Sequence, residues 1–206
     1  NLSNNSSTGG GHSTIVGGCF NTASGAYSFV GGGQFNKVIG WCSFIGAGSS
    51  NQATQTNAIV VGGSRNTASG ACSFIGGGNE NSITGDTSDN LIVGGNSNKI
   101  VGSTNLGHII VGGSCNLSNN SSTGGGHSTI VGGSFNTASG AYSFIGAGSS
   151  NQATQTNTVV VGGSFNTASG QISFIGGGNN NSILGSTSYN LIVGGNSNKI
   201  VGSTNS

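Results

Sequence analysis

The sequence predicts an all-β fold, a parallel β-solenoid built from short stacked coils. Three observations carry this prediction: one motif recurs along the whole chain with a base period of 15 residues, glycine accounts for 43 of the 206 residues, and proline is absent. A typical repeat reads NTASGAYSFVGGGQF, from Asn21 to Phe35. Helix is excluded, because glycine and β-branched residues dominate and no apolar stripe with a 3.6-residue period exists.

The repeats organise the chain at two levels. Each repeat begins at an asparagine, and this series predicts about 13 coils in a single domain spanning residues 1–206: Asn1, Asn21, Asn36, Asn51, Asn66, Asn81, Asn98, Asn116, Asn136, Asn151, Asn166, Asn181 and Asn198. The motif NLSNNSSTGGGHSTIVGG occurs at Asn1 and again at Asn116, which divides the chain into super-repeats 1–115 and 116–206. The two super-repeats differ in length, and a solenoid can gain or lose whole coils only if each coil stacks on its neighbours.

Within a repeat, positions are numbered from the first asparagine. Position 3 is mostly alanine, position 8 is small, position 10 is always valine or isoleucine, and positions 11 to 13 are mostly glycine. This pattern predicts two extended stretches, around positions 2–4 and 7–11, separated by glycine turns with positive φ. Side chains alternate along a strand, so positions 8 and 10 should point inward and position 9 outward. Stacking at ~4.8 Å then aligns equivalent positions of successive coils.

Position 9 carries a row of aromatic side chains that should lie outside the coil. An exposed apolar row of this kind is typical of an interface, so we expect these residues to mediate self-association. The candidates for the interface are Phe29, Phe44, Phe74, Phe144 and Phe174.

The repeat N-x-A-S-G-x-x-S-F-(I/V)-G-G-G resembles the head repeat of YadA-like trimeric autotransporter adhesins, which is roughly N-x-A-x-G-x-x-S-x-A-I-G. The resemblance covers essentially the whole chain. It implies a left-handed β-roll that assembles as a homotrimer and presents a surface for adhesion. Similar repeats are also expected in viral and phage fibre proteins.

The longer repeats all carry their extra residues after position 5, which predicts loops along one edge of the solenoid. Insertions on one face of a solenoid often form the binding face, although tolerated loop growth explains them equally simply. The binding-loop candidates are Asp86, Thr87, Ser88, Ser103, Thr104, Asn105, Asn119, Asn120 and Ser121.

Several N-x-S/T sequons lie beside these insertions. In a glycosylating host they would be accessible acceptors, whereas in a host without that machinery they are chance matches in an Asn- and Ser-rich chain. The glycosylation candidates are Asn4, Asn5, Asn119, Asn120 and Asn180.

The charge and the reactive side chains exclude several classes of function. The formal net charge is +1 with only 3% charged residues, so the basic stripe expected of a nucleic-acid-binding protein is absent. No apolar run approaches the ~20 residues of a membrane span. The three histidines, four cysteines and three acidic residues do not form a ligand set or a paired carboxylate site. We therefore expect no catalytic residues, no metal and no cofactor.

The sequence favours a non-catalytic, structural and adhesive fibre segment at an extracellular, cell or virion surface. Its expected partners are further copies of itself, as a homotrimer or an end-to-end filament, and a host-surface protein or glycan. Three alternatives stay open: a purely structural extracellular filament, an ice-binding solenoid, and a polysaccharide-depolymerising tailspike. Lys37 and Gln52 interrupt the threonines at position 2 that ice binding would need, and a depolymerase would need more carboxylates.

Overall fold

The computed structural model describes residues 6–7, 11–85, 88–102, 107–119, 126–185 and 188–202. These residues form an all-β, parallel β-solenoid of about 12 turns with a period of ~15 residues, which confirms the predicted fold class. The count falls below the predicted 13 coils because the last repeat, from Asn198, contributes only the short strand Lys199–Val201. The chain forms two compact units, Asn1–Lys99 and Ile100–Ser206, and each is described by itself.

The first unit consists of strands of two or three residues. They are β1 (Ser6–Ser7), β2 (Thr14–Ile15), β3 (Thr22–Ala23), β4 (Phe29–Val30), β5 (Lys37–Val38), β6 (Phe44–Ile45), β7 (Gln52–Ala53), β8 (Ile59–Val60), β9 (Thr67–Ala68), β10 (Phe74–Ile75), β11 (Ser82–Thr84) and β12 (Leu91–Ile92). Strand β13 (Lys99–Val101) spans the division between the units.

The second unit repeats this arrangement. Its strands are β14 (Ile109–Ile110), β15 (Leu117–Ser118), β16 (Thr129–Ile130), β17 (Thr137–Ala138), β18 (Phe144–Ile145), β19 (Gln152–Ala153), β20 (Val159–Val160), β21 (Thr167–Ala168), β22 (Phe174–Ile175), β23 (Ser182–Leu184), β24 (Leu191–Ile192) and β25 (Lys199–Val201).

In each unit the odd-numbered strands pair only with one another, and so do the even-numbered strands, always in parallel. Equivalent residues are in register: Ala53 of β7 pairs with Ala68 of β9, and Val60 of β8 pairs with Ile75 of β10. A third row of single-residue bridges runs through position 14, for example Ser49 to Ser64. Each coil therefore has three extended segments, at positions 2–3, 9–10 and 14. The predicted stretches were too broad, and the third segment was missed.

The core is formed by positions 3, 8 and 10, as the alternation predicted. The alanines at position 3 and the valines and isoleucines at position 10 are 0% exposed through most of both units, including Ala53, Val60, Ala153 and Val160. Position 8 is also buried in most coils and mostly carries small side chains such as Ser43 and Ala58, although the larger His108 is buried there as well. One coil cannot enclose these side chains alone, so burial depends on stacking.

A buried ladder of asparagines at position 1 ties successive coils together. The side-chain amide of Asn51 donates to Ala47 O of the preceding repeat (3.2 Å) and to Gly63 O at position 13 of its own repeat (2.9 Å). Its Oδ1 accepts from the backbone N–H of Asn66 at 3.0 Å. Asn151 makes the equivalent bonds in the second unit. The ladder satisfies polar groups that would otherwise be costly to bury.

The corners of the coil have left-handed backbone conformations. Position 13 is glycine in both units, and every one of these glycines has positive φ, such as Gly63 at 85°. Positions 7 and 15 also have positive φ but carry side chains almost throughout, such as Tyr27 (55°) and Phe35 (56°). The left-handed region costs a non-glycine residue roughly 1–2 kcal/mol. Position 7 is thus a corner, which corrects its assignment to an extended stretch.

Candidate functional site

The predicted interface phenylalanines lie on the outer side of the even-numbered strands. Phe29, Phe44, Phe74 and Phe144 are half-buried, and Phe174 is 37% exposed. The rings of Phe29 and Phe44 stack, with centroids 5.3 Å apart and planes 4° from parallel. The sheet side formed by positions 9 and 11 is called the outer face below.

Each phenylalanine at position 9 covers a glycine two residues later. A Cβ atom added to Gly46 would lie 3.3 Å from Phe44 Cε1 and 2.3 Å from Val61 O. Coils without phenylalanine at position 9 have valine at position 11 instead. The pairs are Thr14/Val16, Phe29/Gly31, Phe44/Gly46, Ile59/Val61, Phe74/Gly76 and Leu91/Val93 in the first unit, and Ile109/Val111, Thr129/Val131, Phe144/Gly146, Val159/Val161, Phe174/Gly176 and Leu191/Val193 in the second. Phenylalanine at position 9 is thus always matched by glycine at position 11.

Exposed aromatic side chains also gather at the edge formed by positions 4 to 7, here called the corner edge. In the first unit the rings of His12 and Tyr27 stack at 5.6 Å, and Trp41 lies 6.5 Å from Tyr27. In the second unit His127 and Tyr142 stack at 5.5 Å. Sequence reasoning missed this edge. The available signal was the near absence of glycine at position 7, in a chain with 43 glycines.

The corner edge of the second unit also contains an open cavity of about 340 Å³ with both polar and apolar surface. Gln155, Ser169, Gln171 and Gly185 line it, from positions 4 to 6 of three successive coils. Two exposed corner residues adjoin this lining: Ile172 follows Gln171 in the chain, and the backbone N–H of Tyr189 donates to Gln171 O at 3.3 Å. The lining offers amide and hydroxyl groups and no charge.

Only part of the predicted binding loops can be placed. Ser88 and Asn119 are half-buried, and the backbone N–H of Asn119 donates to Ala138 O at 3.2 Å. The other candidates lie outside the described residues: Asp86, Thr87, Ser103, Thr104, Asn105, Asn120 and Ser121.

Two of the predicted glycosylation sites fall within the described residues. Asn180 is an exposed corner residue whose side-chain amide donates to Ser197 Oγ at 3.3 Å. Asn119 is half-buried, and its Oδ1 is fully enclosed. An oligosaccharide would therefore reach Asn180 more easily than Asn119. Asn4, Asn5 and Asn120 lie outside the described residues.

The second unit contains a buried histidine cluster. His108 is 0% exposed, and its Nδ1 lies 2.7 Å from Ser128 Oγ and 3.0 Å from Ser118 Oγ, which also hydrogen-bond to each other. Burial, together with charge repulsion from nearby His127, lowers the pKa of His108 from 6.5 to about 4. The side chain is therefore neutral at pH 7. His127 itself is exposed, so the two rings face opposite sides of the coil wall as predicted.

The reactive side chains are dispersed. All four cysteines are free thiols within the chain, with Cys42 and Cys72 exposed and Cys19 and Cys115 half-buried. Among the described residues, no three His, Cys, Asp or Glu side chains come together as metal ligands. Arg65 and Glu80 form an exposed ion pair at 2.8 Å.

Two further searches concern membrane spans and known relatives. Across the part of the chain that the structure covers, no helix is both long and apolar enough to span a membrane. Neither a scan against protein-family models nor a search of curated protein sequences gave a match.

Proposed function

We propose that the chain is a non-catalytic, structural and adhesive segment of a surface fibre, assembled as a homotrimer through its outer face. The fibre belongs at an extracellular, cell or virion surface, as the resemblance to YadA-like head repeats implies. The observation that carries the proposal is the matched pairing of positions 9 and 11. The pairing places at least one apolar side chain, phenylalanine at position 9 or valine at position 11, on the outer face of each described coil from Thr14 to Val193.

The pairing supports association because the coil itself does not require an apolar residue at these positions. Position 2 occupies the equivalent outward place on the odd-numbered strands, and there the residues are mostly polar, as in Thr22, Lys37 and Gln52. The two outward surfaces belong to the same coils but differ in composition. Large exposed apolar surfaces mark interaction sites.

The distribution of charge agrees with this assignment. Every described charged residue lies at a corner or on the outward side of the odd-numbered strands: Lys37, Lys99 and Lys199 at position 2, Arg65 and Glu80 at position 15, and Asp89 at position 7. Positions 9 and 11 carry none. Interface cores are depleted of charged residues in the same way.

Adhesion would use the corner edge, which the outer-face assembly leaves free. A chain with so little charge cannot steer ligands electrostatically, so binding should depend only weakly on salt. Each contact would be weak, and repeated contacts along the three chains would raise the overall affinity through effective concentration.

The assembly can be tested with two sets of three substitutions in the same coils. Phe29→Ser, Phe44→Ser and Phe74→Ser alter the outer face, while the control Thr22→Ser, Lys37→Ser and Thr67→Ser alters the opposite sheet. Sedimentation equilibrium should give three chains per particle for the natural protein and for the control, and a smaller or aggregated species for the phenylalanine variant. A monomeric natural protein at micromolar concentration, or a phenylalanine variant that stays trimeric, would contradict the proposal.

A further inference from the structure

We propose that the corner edge of the second unit binds a neutral saccharide, in the cavity lined by Gln155, Ser169 and Gln171 and next to the exposed corner residue Tyr189. This inference rests on the proposed adhesive function and names a ligand class for it. Four observations support it: the chemistry of the lining, the absence of charge, the exposed corner residues, and the contrast with the matching coils of the first unit.

The lining suits a ligand with many hydroxyl groups. Each glutamine side chain offers two N–H donors and a carbonyl acceptor, and Ser169 adds a hydroxyl that can donate or accept. Both glutamines are exposed, so their amides are accessible to a ligand. A few converging polar groups in a concave site are typical of small-molecule recognition.

The absence of charge restricts the ligand to a neutral one. Residues 151–197, which include the whole lining, contain no Asp, Glu, Lys, Arg or His. A sulfated, phosphorylated or carboxylated saccharide would find no counter-charge there, and its charge would be desolvated without compensation. A neutral saccharide needs hydrogen bonds and an apolar surface only.

The apolar surface is provided by corner residues that the coil itself does not favour. Tyr189 has φ 66° and is 81% exposed, so its side chain gains little from packing while its backbone is in the left-handed region. Ile172 has φ 53°, which is a pronounced outlier for a β-branched residue. The same positive φ recurs at position 7 of the other coils, so this site differs from them in the side chains that the corner carries. The ring of Tyr189 offers a flat apolar face to the C–H face of a pyranose.

The matching coils of the first unit provide a natural control. They keep Gln55, Ser69 and Gly85, but Ala71 replaces Gln171 and Asp89 replaces Tyr189. The same backbone therefore accepts both sets of residues. Exchanging them between the units changes the site without introducing a residue that is foreign to its position.

The test uses the full chain and four defined probes: cellohexaose, maltohexaose, the hexamer of N-acetylglucosamine, and hexagalacturonate as the charged control. Saturation-transfer NMR detects binding, and titration calorimetry measures the Kd. The proteins are the natural chain, Gln171→Ala, Gln171→Ala with Tyr189→Asp, and the reciprocal variant Ala71→Gln with Asp89→Tyr.

At least one neutral hexamer should bind the natural chain with a Kd in the millimolar range. The double variant of the second unit should weaken this binding about tenfold or more, which corresponds to losing one or two hydrogen bonds and an aromatic contact. Gln171→Ala should have a smaller effect in the same direction, and the reciprocal variant should raise the number of sites from one to two per chain.

Three results would overturn the inference: no binding of any neutral hexamer, binding that the double variant leaves unchanged, or equal binding of hexagalacturonate. Sedimentation equilibrium on the same samples separates this inference from the proposed assembly. A trimer that binds no saccharide refutes the site alone, and a monomer that binds saccharide refutes the assembly alone.

Discussion

Residues 51–97 of the first unit and 151–197 of the second are two versions of the same three coils. They differ at nine positions. Among the described residues only one difference, Ala58 against Thr158, lies at a buried position. Most of the others are at the corners, including Ala71 against Gln171 and Asp89 against Tyr189. The buried positions therefore fix the backbone, and the corners vary without altering it.

The two versions also differ in the charged residues that they carry. The first version contains Arg65, Glu80, Asp86 and Asp89, whereas the second contains no charged residue. The ion pair between Arg65 and Glu80 is exposed, and such pairs contribute roughly 0–1 kcal/mol. The stability of the fold therefore does not require the charged residues of the first version or their uncharged counterparts in the second. The corners are free to acquire different binding properties in the two units.

The largest loss of stability should be the same in both units, because it comes from removing an asparagine of the buried ladder that both units share. Asn51→Ala and Asn151→Ala each remove two part-buried donations to backbone carbonyls and the acceptor for the buried N–H of the next asparagine. We expect each to lower the free energy of unfolding by roughly 3 kcal/mol or more, since unsatisfied buried groups cost about 1–3 kcal/mol each. Urea unfolding measures the change, with exposed Gln52→Ala as a control that should stay within about 0.5 kcal/mol. A negligible loss in either unit would show that the ladder is not the common framework.

A smaller loss of stability should occur in the second unit only, as the pH falls. The pKa of buried His108 is about 4 in the folded chain and 6.5 in an unperturbed side chain, so the unfolded chain binds a proton first as the pH falls. The contribution to stability is complete above pH 6.5 and is lost between pH 6.5 and 4, amounting to about 3 kcal/mol at most. Amide hydrogen exchange should show Ile110 and Ile130 losing protection over this interval while Ile45 of the first unit keeps it.

The matched control for this experiment is His108→Asn, because asparagine already occupies position 8 at Asn90 and Asn190. The variant should remove most of the pH dependence between 6.5 and 4. If Ile110 still lost protection in this variant, another group would be responsible.

The smallest effect should be a gain in stability at one corner. Asparagine tolerates the left-handed region and already occupies position 7 at Asn57 and Asn157. Ile172→Asn should therefore raise the free energy of unfolding by about 1 kcal/mol, and Cys72→Asn in the first unit by less, because cysteine is not β-branched. Urea unfolding of the two variants gives the comparison. An equal or larger gain for Cys72→Asn would refute this account of the strain.

The framework could be predicted from the sequence because its signals are strict. Valine or isoleucine at position 10 and asparagine at position 1 recur in phase, and a 15-residue period with alternating small and branched residues is incompatible with helix. The third extended segment escaped prediction because one bridging residue at position 14, such as Ser49 or Ser64, carries no alternation. A segment of one or two residues is too short to display the alternation of buried and exposed side chains that marks a strand.

The candidate site was harder to predict, because its residues share no motif. Gln155, Ser169 and Gln171 are separated along the chain and meet only because three coils stack in register. In the sequence, Tyr189 is simply the counterpart of Asp89 in the second super-repeat. Its positive φ depends on the corner geometry, which the residue type does not reveal: tyrosine alone does not predict a left-handed backbone.

The asparagine ladder has a mechanical consequence within each unit. The bonds that join one coil to the next run along the stacking direction, both in this ladder, as from the backbone N–H of Asn66 to Asn51 Oδ1, and in the backbone pairing of the strands, as from the N–H of Gln52 to Asn66 O. A pulling force applied in that direction loads every junction equally, and each junction contains the same small set of bonds. Rupture should therefore begin at whichever junction is weakest, at a force that does not increase with the number of coils. Added coils lengthen such a segment without strengthening it, so in the proposed fibre any additional resistance to force would have to come from lateral contacts between chains.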